Sequence, residues 1–399
     1  MKDVVIIGAG ASSLSLLYNI RKSTNSILVL EKNSEVGGAL RYENQKIFNH
    51  NGTLLSGREL IDDIVSSIKD SNIEIEVDSL SLNVGEEDSM FYVDYMSSNG
   101  IKRVYTKNIV NATGSIESTI NQAFIKFNPN LQFFTPNMIF DFYNQFGTLP
   151  TLNTIIYGSS TDTYLKALNL IELGINIKAI ITTSNILKDS IEYNNLKNQG
   201  VLFYENHKIN RVIGDKRVEG IELIDLKDLN KEIIYSDSLI LSFAHTPNIN
   251  LLSSMDIKKS SVFSAYTDES FMTSIDNLFL IGDSLYIHES TASARLDSKE
   301  AKLIQKAFKK EKRNLVTIGL DSRIDFIFPR MINTYKALSN ITFKFKLNEN
   351  IEDFSLIFKI NKGEIYRKNF SKISNIEEVT LDLREIDMKS IKDFSIEIG

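Results

Sequence analysis

The stretch Val4-Val5-Ile6-Ile7-Gly8-Ala9-Gly10-Ala11-Ser12-Ser13 decides how the first part of the chain reads. Val4 to Ile7 is an unbroken apolar run, the pattern of a strand buried on both faces. Leu14, Leu16, Leu17 and Ile20 recur at roughly helical spacing, and Ile27-Leu28-Val29-Leu30 is a second apolar run. Strand, glycine turn, helix and strand within about 30 residues predict a parallel β-α-β unit. Gly8 permits the tight turn in such a unit, and Gly10 lets the backbone approach a pyrophosphate. The helix N-terminus offers that anion free N–H groups and a partial positive charge. Ser13 stands where a third glycine would pack helix on strand. Glu31 ends the second strand, where a carboxylate accepts hydrogen bonds from ribose hydroxyls. Together these features predict dinucleotide binding.

A similar unit returns in mid-chain. Thr154-Ile155-Ile156-Tyr157 reads as a strand and Gly158 as its turn. Leu165, Leu168, Leu170 and Ile171 mark a helix that Gly174 ends, and Ile177 to Ile181 is the next strand. Between the two units, Ile73 to Val77 and Met90 to Tyr95 read as antiparallel strands. Ser236 to Phe243 is a further apolar strand. Leu278 to Ile281 is another, ending in Gly282-Asp283, with a helix expected from about Thr291 to Lys310. From about Ile324 the apolar residues alternate at period two (Ile341, Phe343, Phe345, Leu347), which predicts a small antiparallel β domain.

Composition bounds the function class. The chain has 399 residues, 42% of them hydrophobic, an ordinary globular balance. It exceeds the roughly 250–300 residues that one core supports. With 45 basic against 51 acidic residues, no positive excess points to nucleic acid. The absence of cysteine excludes disulfides, thiolate metal sites, a cysteine nucleophile and a redox dithiol; no metal is expected. No apolar run approaches the ~20 residues of a membrane helix, and no signal peptide is read at the start. A cytoplasmic protein without a membrane span is expected.

Three more motifs complete the pattern: Glu35-Val36-Gly37-Gly38-Ala39-Leu40, Asn111-Ala112-Thr113-Gly114, and the run from Thr273 through Leu278-Phe279-Leu280-Ile281 to Gly282-Asp283. With the first motif they resemble the two-dinucleotide-binding-domain flavoproteins, the pyridine-nucleotide oxidoreductases that include thioredoxin reductase and NADH oxidases. The resemblance covers roughly residues 1–311. It implies an α/β fold: an FAD-binding Rossmann-type domain over 1–114 and 246–311, with an inserted NAD(P)-binding-type Rossmann domain over 115–245. Residues 312–399 remain as the β domain. It implies FAD held by Gly8, Gly10, Ser13, Glu31, Lys32, Gly37, Gly38, Leu40, Ala112, Thr113, Gly114, Gly282, Asp283, Thr291 and Ala292. The implied chemistry is hydride transfer from a nicotinamide to the flavin. Asp283 is expected on the ribityl hydroxyls, and the helix after it is expected to aim its N-terminus at the flavin pyrimidine ring.

Shorter segments resemble one subgroup: Phe48-Asn49-His50-Asn51-Gly52, Leu55-Ser56-Gly57-Arg58-Glu59, His288-Glu289 and Phe328-Pro329. These are the oxidoreductases encoded beside glycerol-3-phosphate dehydrogenase-like proteins, related to the FAD-bearing subunits of amine and opine dehydrogenases. That resemblance implies an electron-transfer subunit working beside a second oxidoreductase subunit.

The chain also departs from the family. Without a Cys-x-x-Cys, dithiol reduction is excluded by chemistry. The second glycine loop has become Gly158-Ser159-Ser160-Thr161-Asp162-Thr163. Ser160 puts a Cβ where backbone should meet pyrophosphate, and Asp162 brings a repelling charge. Gly158, Ser159 and Ser160 therefore mark a second nucleotide site with two open readings, an NAD(P)H site or a scaffold. His50 and His288 are weak candidates for a role beside the flavin, each more readily read as structural. His207 and His245 are read as structural, and Arg41 either as a phosphate contact or as an exposed side chain.

The expectation is an FAD-dependent oxidoreductase moving electrons between NAD(P)H, or another small-molecule donor, and an acceptor or partner subunit. The alternative is a non-catalytic or partner-fed flavin subunit. A homo-oligomer is compatible with both.

Overall fold

The computed structural model describes residues 1–43, 46–158, 160–183, 188, 190–260, 265–288, 290–309, 312–336, 340–348, 351–373 and 376–399. Ser159, Glu289 and Lys310, named above, lie outside the described residues.

The apolar run at the start forms the strand Lys2–Ile7, with Val4 to Ile7 buried. It pairs in parallel with Ile27–Leu30 on one side and with the second half of Gly100–Asn111 on the other. Each fully buried aliphatic side chain contributes about 1.5–3 kcal/mol, which pins this strand at the centre of the sheet. Ile73–Glu76 pairs in parallel with Ile27–Leu30, correcting the antiparallel expectation. Its alternating Ile and Glu report an edge strand exposed on one face, and alternation says nothing about direction. Met90–Ser97 and Leu80–Glu87 do form an antiparallel hairpin, laid against the first half of Gly100–Asn111. Leu278–Leu280 returns from far along the sequence to pair in parallel with the end of that long strand.

The inserted half repeats the theme. Its parallel sheet runs Leu202–Tyr204, Asn176–Ile181, Asn153–Tyr157, Ser238–Leu241, with the helix Thr161–Glu172 following Asn153–Tyr157. A three-stranded antiparallel sheet of His207–Ile213, Gly220–Asp225 and Lys231–Tyr235 shares its core. A short ribbon, Ser115–Glu117 against His245–Pro247, carries the chain in and out.

The last 85 residues from Leu315 form two packed sheets around Phe343, Phe345, Phe358 and Phe394. One pairing departs from the expected antiparallel domain: Leu315–Leu320 lies parallel to Phe394–Ile398. The first and last strands are far apart in sequence, so no tight turn dictates their direction. Through aromatic rings this sandwich docks on the segment that returns to the first sheet, Phe328 against Phe271 and Phe326 against Tyr286, each pair 4.6 Å between centroids.

Ions seal the same junction. Arg313 pairs with buried Asp268 at 2.9 Å and with Asp276 at 2.8 Å. Neighbouring Glu269 is buried, with one oxygen accepting the Asn333 N–H and the other lacking a partner among the described residues. Burial, aided by the Asp268 charge, pushes the Glu269 carboxyl up to about 8 from an ordinary 4.5. The folded chain therefore holds a proton here that the unfolded chain releases above 4.5. Stability from this group is complete below that pH and is lost as pH rises toward about 8, at up to about 1.4 kcal/mol per pH unit. Glu269→Gln is expected to flatten thermal stability across that window and to exceed the wild type at its upper end. An unchanged pH profile of the melting temperature would refute this.

The helix expected from Thr291 to Lys310 begins later, at Ser298, and runs to Ala307. Asp297 and Glu300 form a reciprocal capping box that sets its start. Upstream, the Ser290 and Ser293 side chains bond each other's backbone N–H groups, competing with helical hydrogen bonds. Thr291 and Ala292 lie in that turn.

Candidate functional site

The site forms where the first glycine turn, the paired glycines and the Gly282 corner meet. Gly8 donates to Leu30 O at 2.8 Å and adopts φ +97°. A Cβ there would overlap the Ala112 carbonyl oxygen. Gly37 N donates to Ala9 O at 2.7 Å, which brings the second motif over the first. Gly38 then packs on Gly10, where an added Cβ would lie 3.2 Å from the Gly10 Cα. Gly282, at φ +62°, abuts Ser12, whose hydroxyl a Cβ would overlap. Ser12 Oγ in turn donates to Ala294 O at 2.7 Å. Gly10 differs from these neighbours, because a Cβ there would meet nothing within 4 Å. The helix Ala11–Ile20 starts beside that opening with no side-chain cap and no acidic residue in its first turn. Its leading N–H groups are therefore available to an anion. These residues fit a dinucleotide pyrophosphate.

Glu31 is buried; its two oxygens accept the N–H groups of Ala9 at 2.8 Å and Asn33 at 2.9 Å. A carboxylate oxygen can accept more than one hydrogen bond, so Glu31, already a strut, keeps acceptor capacity that a ribose hydroxyl could use. Lys32 beside it is exposed. Ser13 is fully buried and fills the helix–strand contact, and Leu40 is buried beneath the glycine pair.

The strand end Asn111 reaches Gly282 through the Ile281 N–H and Ser284 Oγ, both donating to Asn111 O. Thr113 Oγ1 donates to Asn248 O at 2.6 Å, and Asn248 N donates to Gly114 O at 2.9 Å. The Ala112-Thr113-Gly114 segment is thus fastened to the returning chain. Asp283 accepts both the backbone N–H and the ring Nδ1 of His288, the latter at 2.8 Å. The Asp283 side chain remains 31% exposed while His288 is 9% exposed. His288 therefore orients Asp283, and the Tyr286 ring packs against the His288 ring at 4.1 Å with a tilt of 32°.

His50 packs against the first helix. It stacks on Tyr18 at 3.9 Å with the rings nearly parallel, and Arg21 covers Tyr18 at 3.9 Å. Tyr18 is about 12 Å along the helix from Gly10. Burial, with Arg295 and Arg21 nearby, lowers the His50 pKa.

Sequence reasoning does not single out Tyr42, and it reads Arg41 only as a phosphate contact or an exposed side chain. Arg41 is buried rather than exposed, with Glu35 and Asp141 each at 3.6 Å. The Tyr42 hydroxyl donates to Asp141, and Asn169 Nδ2 donates to Tyr42 O at 2.8 Å. Both tie the glycine-pair segment to helices of the inserted half. The only hint in the sequence is that two amphipathic side chains follow a buried Leu40.

In the second unit a Cβ on Gly158 would overlap the Ser242 carbonyl oxygen, as the turn geometry demands. Ser160 caps the following helix through the Thr163 N–H at 3.1 Å. Among the described residues, no helix is long and apolar enough to cross a membrane.

Two glycine-turn units, with an open cradle on the first, define a two-dinucleotide-domain, FAD-dependent oxidoreductase. The chain belongs to the pyridine nucleotide-disulphide oxidoreductase family, whose profile matches residues 2–310; thioredoxin reductase-like members of this family bind FAD and NAD(P)H. It is 21% identical over 282 residues to the thioredoxin reductase of Treponema pallidum (strain Nichols), covering 70% of this chain and 88% of that one. The fold is similar to Lactococcus lactis thioredoxin reductase in its FR conformation, with a TM-score of 0.62 and 16% identity, over 77% of this chain and 98% of that one. The thioredoxin reductase of T. acidophilum gives a TM-score of 0.61 at 18% identity, over 77% and 97% of the two chains.

Proposed function

We propose that this chain moves electrons through bound FAD without a protein dithiol, taking them from NAD(P)H or from a partner subunit and passing them to an acceptor. The open face at Gly10, bounded by Gly38 and the uncapped helix start, carries the proposal. Bound flavin would supply the hydride chemistry; the protein supplies placement and electrostatics. The first-turn N–H groups of Ala11–Ile20 bind the pyrophosphate, Glu31 the ribose, and Asp283, oriented by His288, the ribityl chain. Thr291 and Ala292, in the Ser290 turn, belong to the same proposed set. No general acid or base is assigned, since hydride transfer to a flavin needs none from the protein.

The division at 1–114 with 246–311, 115–245 and 312–399 belongs to this proposal, as do a cytoplasmic location and a homo-oligomer. The purified chain is expected to be yellow, or to become so on adding FAD, with one flavin per chain that dithionite bleaches and a dye acceptor restores. A chain that retains no FAD under any loading condition rules the proposal out. A second reading, a partner-fed flavin subunit with an idle second nucleotide site, is favoured by the charged residues around Asp162.

A further inference from the structure

The parallel sheet of the inserted half reverses its strand order between Asn153–Tyr157 and Ser238–Leu241. In open parallel sheets the ligand crevice lies beyond the carboxyl ends of the strands at such a reversal. Here the protein's own side chains cross that crevice. Thr163 Oγ1 donates to Ser242 O at 2.7 Å, joining the helix Thr161–Glu172 to the neighbouring strand end. The Asp162 carboxylate, in the first turn of that helix, lies 2.8 Å from Lys166 Nζ and 3.4 Å from His245 Nε2. Lys166 also reaches Glu117 at 3.5 Å. Glu117 and His245 face each other on the ribbon that enters and leaves the inserted half.

All four side chains are at least three-quarters buried. Burial works against charge on Asp162 and Lys166, yet Lys166 and His245 hold the Asp162 carboxyl at about 2, and Asp162 with Glu117 raises the Lys166 ammonium. The helix start already holds its anion, and a pyrophosphate placed there would meet a fixed carboxylate.

The first half of the chain provides the contrast. Its strand order also reverses beside Lys2–Ile7, but there the helix start is uncapped, its first turn holds no carboxylate, and Gly10 faces open space. The same topology is open once and closed once.

We infer that the crevice of the inserted half is closed to nicotinamide dinucleotides, with the Glu117–Lys166–Asp162–His245 cluster in the place of the pyrophosphate. The flavin's electrons then arrive by a route that does not use this crevice. The inference rests on the flavin reading for its consequence, and the closed crevice itself can be tested separately.

Calorimetric titration of the full, FAD-supplemented chain with NADH and with NADPH, to about 1 mM, covers the range of ordinary enzyme substrates. No saturable binding is expected. Neither nucleotide is expected to bleach the flavin anaerobically, although dithionite does. If saturable binding appears, Ser160→Trp decides its location. Ser160 is exposed at the crevice mouth, so the bulky ring blocks entry without entering the core, and its effect is read against Ser160→Ala, which loses the same helix cap without adding bulk. Binding weakened less than tenfold by this change places the nucleotide elsewhere and supports the inference. Binding weakened tenfold or more overturns it. Flavin content is read independently from the visible spectrum, so a failed FAD assignment shows as colourless protein and leaves the nucleotide isotherm interpretable.

Discussion

Gly10→Leu is expected to give a folded but colourless protein. The backbone at Gly10 is extended, φ −81° and ψ −170°, which any residue adopts. An added Cβ enters open space, so the chain without flavin loses little stability. That open space is where a pyrophosphate must approach the helix start, and a branched side chain there excludes it. Flavin occupancy should fall by more than tenfold while the melting temperature of the flavin-free protein stays within a few degrees of the wild type. Full flavin retention by the variant would remove Gly10 from the binding cradle.

Gly8→Ala should act in the opposite way, on the fold itself. Gly8 sits at φ +97°, where an L side chain is strained, and its Cβ would overlap the Ala112 backbone oxygen. Backbone strain of about 1–3 kcal/mol and overpacking of about 1–3 kcal/mol together predict a loss of roughly 2–6 kcal/mol. Gly174→Ala separates the two effects, because Gly174 has φ +98° but nothing within 4 Å of an added Cβ. Urea denaturation should show Gly8→Ala as clearly the more destabilised variant. Equal losses would mean that the Ala112 contact yields easily and that strain alone explains the cost.

The first β-α-β unit was legible because its signals are local. Val4 to Ile7, the glycine turn and Glu31 lie within one short stretch, and each is dictated by its own stereochemistry or burial. The Leu278–Asp283 run was legible for the same reason, as an apolar strand ending in a glycine that tolerates φ +62°. The late helix start was missed because Ser290 and Ser293 form side-chain bonds that hydrophobic periodicity does not register. The direction of Ile73–Glu76 was missed because a strand's alternation records which face is wet, while its partner sets its direction.

The amino-acid order by itself determined that two glycine-turn units exist, that the first keeps the residues of a dinucleotide cradle, and that this sequence supplies no thiol of its own. Only the tertiary structure decided where the charges of the second unit go. Asp162 reads as a repelling charge in sequence, and folding brings it to Lys166 and to His245, 83 positions away. Likewise Arg41 met Asp141, and Glu269 lost its solvent, only when separate segments closed on one another. Backbone conformation and burial pattern are short-range consequences of residue type, whereas ion pairing and desolvation depend on which distant surfaces come into contact.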